Sequence, residues 1–230
     1  MRLATVATLV LLVATATAFV HTQRQKLEPS PLAVLRVDET FAPLCNCPTR
    51  TATIEFELRR RSKITLAVVD EHGDVVRTLI DDRRPEGVRV TSRWDGRDAA
   101  GEVVPDGVYQ PRLRVAVEQR TFLLTNRIVV DTKPPRATLV RVAPDVLQKE
   151  GDHVSAWYRL SETSQPLLLV NGRVRVRGTP RRREGKLDWY GRTEGRMLPN
   201  GRYRLQLSAR DEAGNLAEPT PEVRVRIRVR

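Results

Sequence analysis

The sequence predicts an all-β chain of two tandem β-sandwiches behind an N-terminal hydrophobic helix. Three observations predict it: strand-like alternation through most of residues 33–230, a Trp–turn–Tyr pattern that occurs twice, and one uncharged apolar stretch confined to the N-terminus. The 230 residues leave room for two ordinary domains. Hydrophobic residues make up 40% of the chain, enough to build cores, which excludes global disorder despite 30% charged residues.

The leading segment, Leu3 to Val20, is an 18-residue run without a charge, preceded by Arg2 and followed by Arg24 and Lys26. That is close to the roughly 20 residues a spanning helix needs. The triplets Ala14-Thr15-Ala16 and Ala16-Thr17-Ala18 have the small-residue form of a signal cleavage site. Residues 1–20 therefore read as a signal anchor or a cleaved signal peptide. The anchor leads because the run stays apolar through Phe19 and Val20. Either way the remainder is expected outside the cytoplasm, as a single-pass cell-membrane protein or, after cleavage, a secreted one. Residues 21–32, with Pro29 and Pro31, read as a spacer.

Beyond the spacer, apolar and polar residues alternate, as in Thr53-Ile54-Glu55-Phe56-Glu57-Leu58, Lys63-Ile64-Thr65-Leu66 and the final Val223 to Arg230. Alternation sends one set of side chains inward and the next outward, as a sheet solvated on one face requires. In the first half, Trp94-Asp95-Gly96-Arg97 precedes Pro105-Asp106-Gly107-Val108-Tyr109. In the second, Trp189-Tyr190-Gly191-Arg192 precedes Pro199-Asn200-Gly201-Arg202-Tyr203. Proline presets one torsion of each turn, and the Asp-Gly or Asn-Gly pair suits the rest. A duplicated domain follows, with domains at 33–131 and 136–230. They are joined by residues 132–135, where Lys133-Pro134-Pro135 forms a stiff, strand-breaking linker.

The first half also reads Val69-Asp70-Glu71-His72-Gly73-Asp74-Val75-Val76-Arg77-Thr78-Leu79, then Trp94-Asp95-Gly96-Arg97-Asp98-Ala99-Ala100-Gly101, then Pro105 to Tyr109. Over about residues 41–115 this resembles the Ig-like domain of the FlgD (flagellar hook-capping) type. The second half is a weaker relative. Its Asp211-Glu212-Ala213-Gly214-Asn215 resembles a turn of many bacterial surface Ig-like modules. The resemblance implies two Ig-like sandwiches with a scaffold or adhesion role. The N-terminal segment argues against a true hook cap, which would be a soluble export substrate. Where the family pattern has glycines and an acidic residue, this chain has Phe41-Ala42-Pro43-Leu44-Cys45-Asn46-Cys47. No cation-binding role is carried over to that loop.

Cys45 and Cys47 are the only cysteines. They could close a local disulfide, pair between molecules, or stay free or metal-bound. An oxidising compartment favours the local bridge. Two thiolates do not complete a zinc site, and His21, His72 and His153 have no ligand-like spacing to them. Asp95, Asp98 and Asp106 sit beside turn glycines, where aspartate usually caps the turn. A calcium site is the sharper alternative.

Charge divides the halves. Residues 33–131 carry 16 basic and 16 acidic side chains, whereas residues 132–230 carry 21 and 11. Arg173, Arg175 and Arg177 alternate onto one strand face, and Arg224, Arg226, Arg228 and Arg230 onto another. If these strands share a sheet, they form a positive plate. Outside the cytoplasm it would meet anionic envelope polymers, lipid head groups or other envelope proteins. The same residues also read as a merely solvated outer face. Nucleic acid is not the expected partner, because no aromatics interleave the arginines.

No Gly-x-Ser-x-Gly, His-Glu-x-x-His or phosphate loop is present. The expectation is a non-enzymatic structural or interaction protein with no catalytic, cofactor-binding or metal site. The alternative is a polyanion-binding protein using the arginine face of the second domain.

Overall fold

The computed structural model describes residues 12–17 and 32–229. Residues 12–17 are helical. The rest of the expected hydrophobic helix, the spacer up to residue 31, His21 and Arg230 lie outside the described residues. Among those described, no helix is long and apolar enough to cross a membrane.

Between residues 32 and 229 every named element is a strand. The first nine are β1 (Leu32–Val37), β2 (Thr40–Phe41), β3 (Ala52–Leu58), β4 (Ile64–Val69), β5 (Val75–Arg83), β6 (Arg89–Trp94), β7 (Gly107–Val115), β8 (Arg120–Leu123) and β9 (Ile128–Val130). One sheet has the order β1-β3-β6. The facing sheet runs β5-β4-β7-β9-β2, with β8 also on β7. Most pairs are antiparallel, but β2 runs parallel to β9. The alternation in β3 works as the period-two rule requires: Ala52, Ile54, Phe56 and Leu58 are buried, and the residues between them are not. They join Leu66, Val68, Leu113 and Ile128 in one core.

The second set is β10 (Ala137–Ala143), β11 (Val146–Leu147), β12 (Val154–Val170), β13 (Arg173–Arg177), β14 (Arg182–Trp189), β15 (Arg192–Thr193), β16 (Arg196–Met197), β17 (Gly201–Arg210) and β18 (Val223–Ile227). The long strand β12 serves both layers. Its residues 154–159 pair with β10 and β14, and its residues 165–170 pair with β13 and β17. The order then continues β17-β18-β11, and β11 is again parallel to its partner. Since β3 pairs with β1 and β6 while β4 pairs with β5 and β7, β12 does in one strand what β3 and β4 do in two. Its core contains Leu147, Leu168, Leu205, Leu207 and Ile227.

The duplicated motif is the same piece of packing in both sandwiches. Trp94 is fully buried, with its ring edge-to-face against Phe41 and Tyr109 at centroid distances of 5.4 and 5.1 Å. Its Nε1–H donates to the Arg97 carbonyl at 2.9 Å, and the Tyr109 hydroxyl donates to the Pro105 carbonyl at 2.8 Å. In the second sandwich Trp189 meets Tyr203 at 5.7 Å and donates to the Arg192 carbonyl at 3.3 Å, while Tyr203 donates to the Pro199 carbonyl at 2.7 Å. Burial, aided by Asp70, Asp106 and Glu71, raises the Tyr109 pKa, so the phenol stays protonated and keeps donating. Gly96 has φ +73°, and a Cβ there would lie 2.5 Å from Cγ of Pro43. The turn after the first tryptophan therefore admits only glycine.

Tyr109→Phe and Tyr203→Phe each remove one O–H donor while leaving the ring. Each should lower stability by about 0.5–1.5 kcal/mol, read as a fall in the urea midpoint of the sandwich that carries it. An unchanged midpoint in both would show that the hydroxyls contribute nothing to the lock.

Candidate functional site

Three places gather polar chemistry: the outer face of the second sandwich, the loop that holds the cysteines, and the seam between the sandwiches. On the outer face, β13 and β18 do share a sheet, with β12 and β17 between them. In β18, Val225 and Ile227 point into the core, so Arg224 and Arg226 point out, and Arg228 beyond them is exposed as well. In β17, Leu205, Leu207 and Ala209 are buried, which turns Arg202 and Arg204 outward. The register places Arg202 directly opposite Arg226 and Arg204 directly opposite Arg224. Arg202 and Arg204 were not singled out by the sequence. Their signal was the Arg202-Tyr203-Arg204 alternation, which acquires meaning only once β17 is paired with β18.

The β13 arginines sit differently. Arg173 lies opposite Val170, a core residue, whereas Arg177 lies opposite Leu167, which has the other orientation. A register shift between Leu168 and Leu169 leaves Arg175 without a direct partner. Arg173, Arg175 and Arg177 therefore do not form the single-faced row that strict alternation predicts. The structure brings Arg224, Arg226 and Arg228 together with Arg202 and Arg204, and not with the β13 arginines. Arg181, in the following loop, pairs with Glu212 at 2.5 Å.

Cys45 and Cys47 are joined to each other, with Cα atoms 5.2 Å apart, in the loop between β2 and β3. That loop lies against the second sandwich. The Thr49 hydroxyl donates to the Ala213 carbonyl at 2.6 Å and sits 3.0 Å from Sγ of Cys47. Across the same seam, Asn215 Nδ2 donates to the Asp131 carbonyl at 3.0 Å. The Asp211–Asn215 turn is held rigid for this contact: Asp211 accepts from the Gly214 and Asn215 amides and from Asn215 Nδ2. Ala213 is 1% exposed. Gly214, at φ +104°, leaves so little room that a Cβ would lie 2.3 Å from Oγ1 of Thr49 and 2.7 Å from Sγ of Cys47. A cleft of about 810 Å³ opens beside the seam, bordered by Arg36, Asp38, Arg50, Arg93 and Glu212.

Asp95 and Asp98 cap their own turns, whereas Asp106, expected to do the same, does not. Asp95 accepts from the Arg97 amide, and Asp98 accepts from the amides of Ala100 and Glu102. Asp106 accepts from the amide and hydroxyl of Thr132 and pairs with Lys133 at 3.2 Å, tying the linker to the first sandwich. Burial works against its ionisation, but these partners outweigh it and hold its pKa below the usual value. At the seam the balance reverses. Burial, then the nearby charges of Asp131 and Asp211, raise the pKa of Glu162. Burial and Asp131 raise that of Asp211 against the pull of its three donors. Among the described residues no group of three or more His, Cys, Asp or Glu is placed to hold a metal ion.

Residues 48–118 match the sequence model of the FlgD Ig-like domain. The match begins immediately after Cys47, so the loop that departs from the family pattern falls outside it. No curated protein shows significant similarity to the chain. Among solved structures, the chain is similar to the fibronectin(III)-like modules of Clostridium thermocellum CbhA, with 11% identity, 86% of this chain and 94% of that chain covered, and a TM-score of 0.48. It is also similar to the FN1–FN3 domains of chicken CNTN1, with 18% identity, 85% and 64% covered, and a TM-score of 0.49.

Two outcomes follow from the seam. Gly214→Val should separate the sandwiches, which will then tumble independently in NMR relaxation, while the urea midpoint of the first stays unchanged. Glu162 has a raised folded pKa, so its carboxyl favours folding when protonated and loses that contribution as pH rises. Glu162→Gln should therefore raise the midpoint of the second sandwich near pH 7 and leave it unaltered near pH 4. A loss of stability near pH 7 would refute this account of Glu162.

Proposed function

We propose that the chain is a non-enzymatic interaction module that works outside the cytoplasm, held at the membrane by its N-terminal apolar segment. The observation that carries this reading is the Cys45–Cys47 bridge, since disulfides persist in oxidising compartments and are rare in reducing ones. The uncharged run from Leu3 to Val20 supports it from the sequence side. The FlgD Ig-like match of residues 48–118 supports a binding or scaffold role over catalysis, although a fold by itself assigns no function. The turn-capping roles of Asp95 and Asp98, and the hold of Asp106 on the linker, point the same way.

In this reading the docked seam is structural. It presents the second sandwich at a fixed orientation to the first, and the second carries the contact surface. A polyanion-binding role is the second reading, favoured by the paired arginines of β17 and β18.

Fractionation with thiol blocking before reduction tests the first reading. The chain is expected in the membrane fraction with both cysteines protected from maleimide and its N-terminus intact. A mature start near residue 17 or 19 would replace the anchor with a cleaved signal. Recovery from the cytoplasm with both thiols reactive would overturn the extracytoplasmic role.

A further inference from the structure

Strands β17 and β18 assemble a ridge of like charge that the fold itself does not need. Arg202 and Arg226 form one cross-strand pair, and Arg204 and Arg224 form the next. Directly opposed side chains stand about 5 Å apart, and like charges placed so are destabilising. Glu222, 3.3 Å from Arg204, is the one acidic partner these four have among the described residues. Arg228 extends the row beyond Ile227. Along each strand, outward positions recur every ~7 Å. The ridge is thus a short double row of guanidinium groups, largely unneutralised and exposed.

We propose that this ridge binds a flexible linear phosphate polymer lying along β17 and β18. The proposal rests on reading the chain as an interaction module and names the partner of its second sandwich. Charge complementarity requires an anion, and three further features choose among anions. Each internal phosphate of such a polymer carries its charge on two non-bridging oxygens within the chain itself, so charge recurs closely along the line that the arginine pairs trace. A polycarboxylate carries its charge on separate side chains that must each be ordered. A membrane-binding face carries apolar or aromatic side chains to insert among the lipids. Among the described residues, no large exposed hydrophobic residue lies on β17 or β18. Base stacking needs aromatic platforms, but Tyr203, between Arg202 and Arg204, packs against the core. The recognised unit is therefore the phosphate, repeated along a chain that can follow the strands.

The test uses the full chain, purified in non-ionic detergent, titrated with inorganic polyphosphate, with polyglutamate and with micelles doped with anionic phospholipid. Polyphosphate is expected to bind best. Engagement of four or five arginines should lower its affinity roughly 50- to 130-fold between 50 and 200 mM salt. The double variant Arg224→Glu, Arg226→Glu should lose at least about tenfold of that affinity. The double variant Arg173→Glu, Arg177→Glu changes net charge equally but lies off the ridge, and should stay within about twofold. Arg226→Gln separates binding from folding: at low salt it should raise the urea midpoint, by relieving repulsion, while weakening polyphosphate binding. Equal losses from the two double variants, salt-independent binding, no binding, or polyglutamate or micelles bound as tightly as polyphosphate would each overturn the proposal. Localisation is read separately by fractionation. A membrane-held chain that ignores polyphosphate overturns the ridge and leaves the extracytoplasmic role standing.

Discussion

Each sandwich closes around one indole. Trp94 and Trp189 sit where a strand of one sheet ends, and each reaches a tyrosine that begins a strand of the other. The indole nitrogen and the phenol oxygen are polar atoms at the edge of an apolar interior, the Tyr203 hydroxyl the most exposed of them, and each needs an acceptor. The acceptors are carbonyls of the two turns next to them: Arg97 and Pro105 in the first sandwich, Arg192 and Pro199 in the second. This one requirement selects the turn residues, explains why the motif survives in both halves while the surrounding sequence diverges, and fixes how the layers face each other. Loop lengths vary around it, and the number of strands used for the central segment varies too, with β3 and β4 in one half and β12 alone in the other.

The seam between the sandwiches obeys a different logic. It has few contacts, but they are part-buried and directional. The Thr49 hydroxyl, the Asp131 carbonyl and the bridged Cys45–Cys47 loop meet a turn whose glycine leaves no spare volume. Domains within a chain usually move relative to one another unless their interface is extensive. Here a short linker, with Asp106 holding Thr132 and Lys133 at its start, reduces the freedom that the seam must remove. The disulfide shapes the loop that docks, so a feature local in sequence acts across 164 positions of separation through Thr49 and Ala213.

The fold was legible because its signals are local. Alternation in Ile54-Glu55-Phe56, glycine after each tryptophan, and proline before each tyrosine all act within a few residues. For the cysteine pair, closeness in sequence favoured a local bridge but left other pairings open. What escaped depends on pairing across the sheet. Arg202 and Arg204 look unremarkable until β17 lies beside β18. The β13 arginines read as one row only while strict alternation is assumed, and the register shift opposite Leu168 and Leu169 breaks that assumption. The seam was invisible for a further reason. Asp211-Glu212-Ala213-Gly214-Asn215 is recognisable as a turn, but nothing in its own sequence says that the surface it meets is the Cys45–Cys47 loop.

The parallel pairs β2–β9 and β11–β18 give the chain a mechanical character. In each sandwich a strand near its beginning lies alongside a strand near its end, and both point the same way. Tension applied between the start of one and the finish of the other slides them lengthwise. The backbone bonds between them are then loaded together, so the ladder must yield as a group instead of opening one rung at a time. A chain tethered at one end and engaged at the other would carry that pull through these two short ladders before either core felt it.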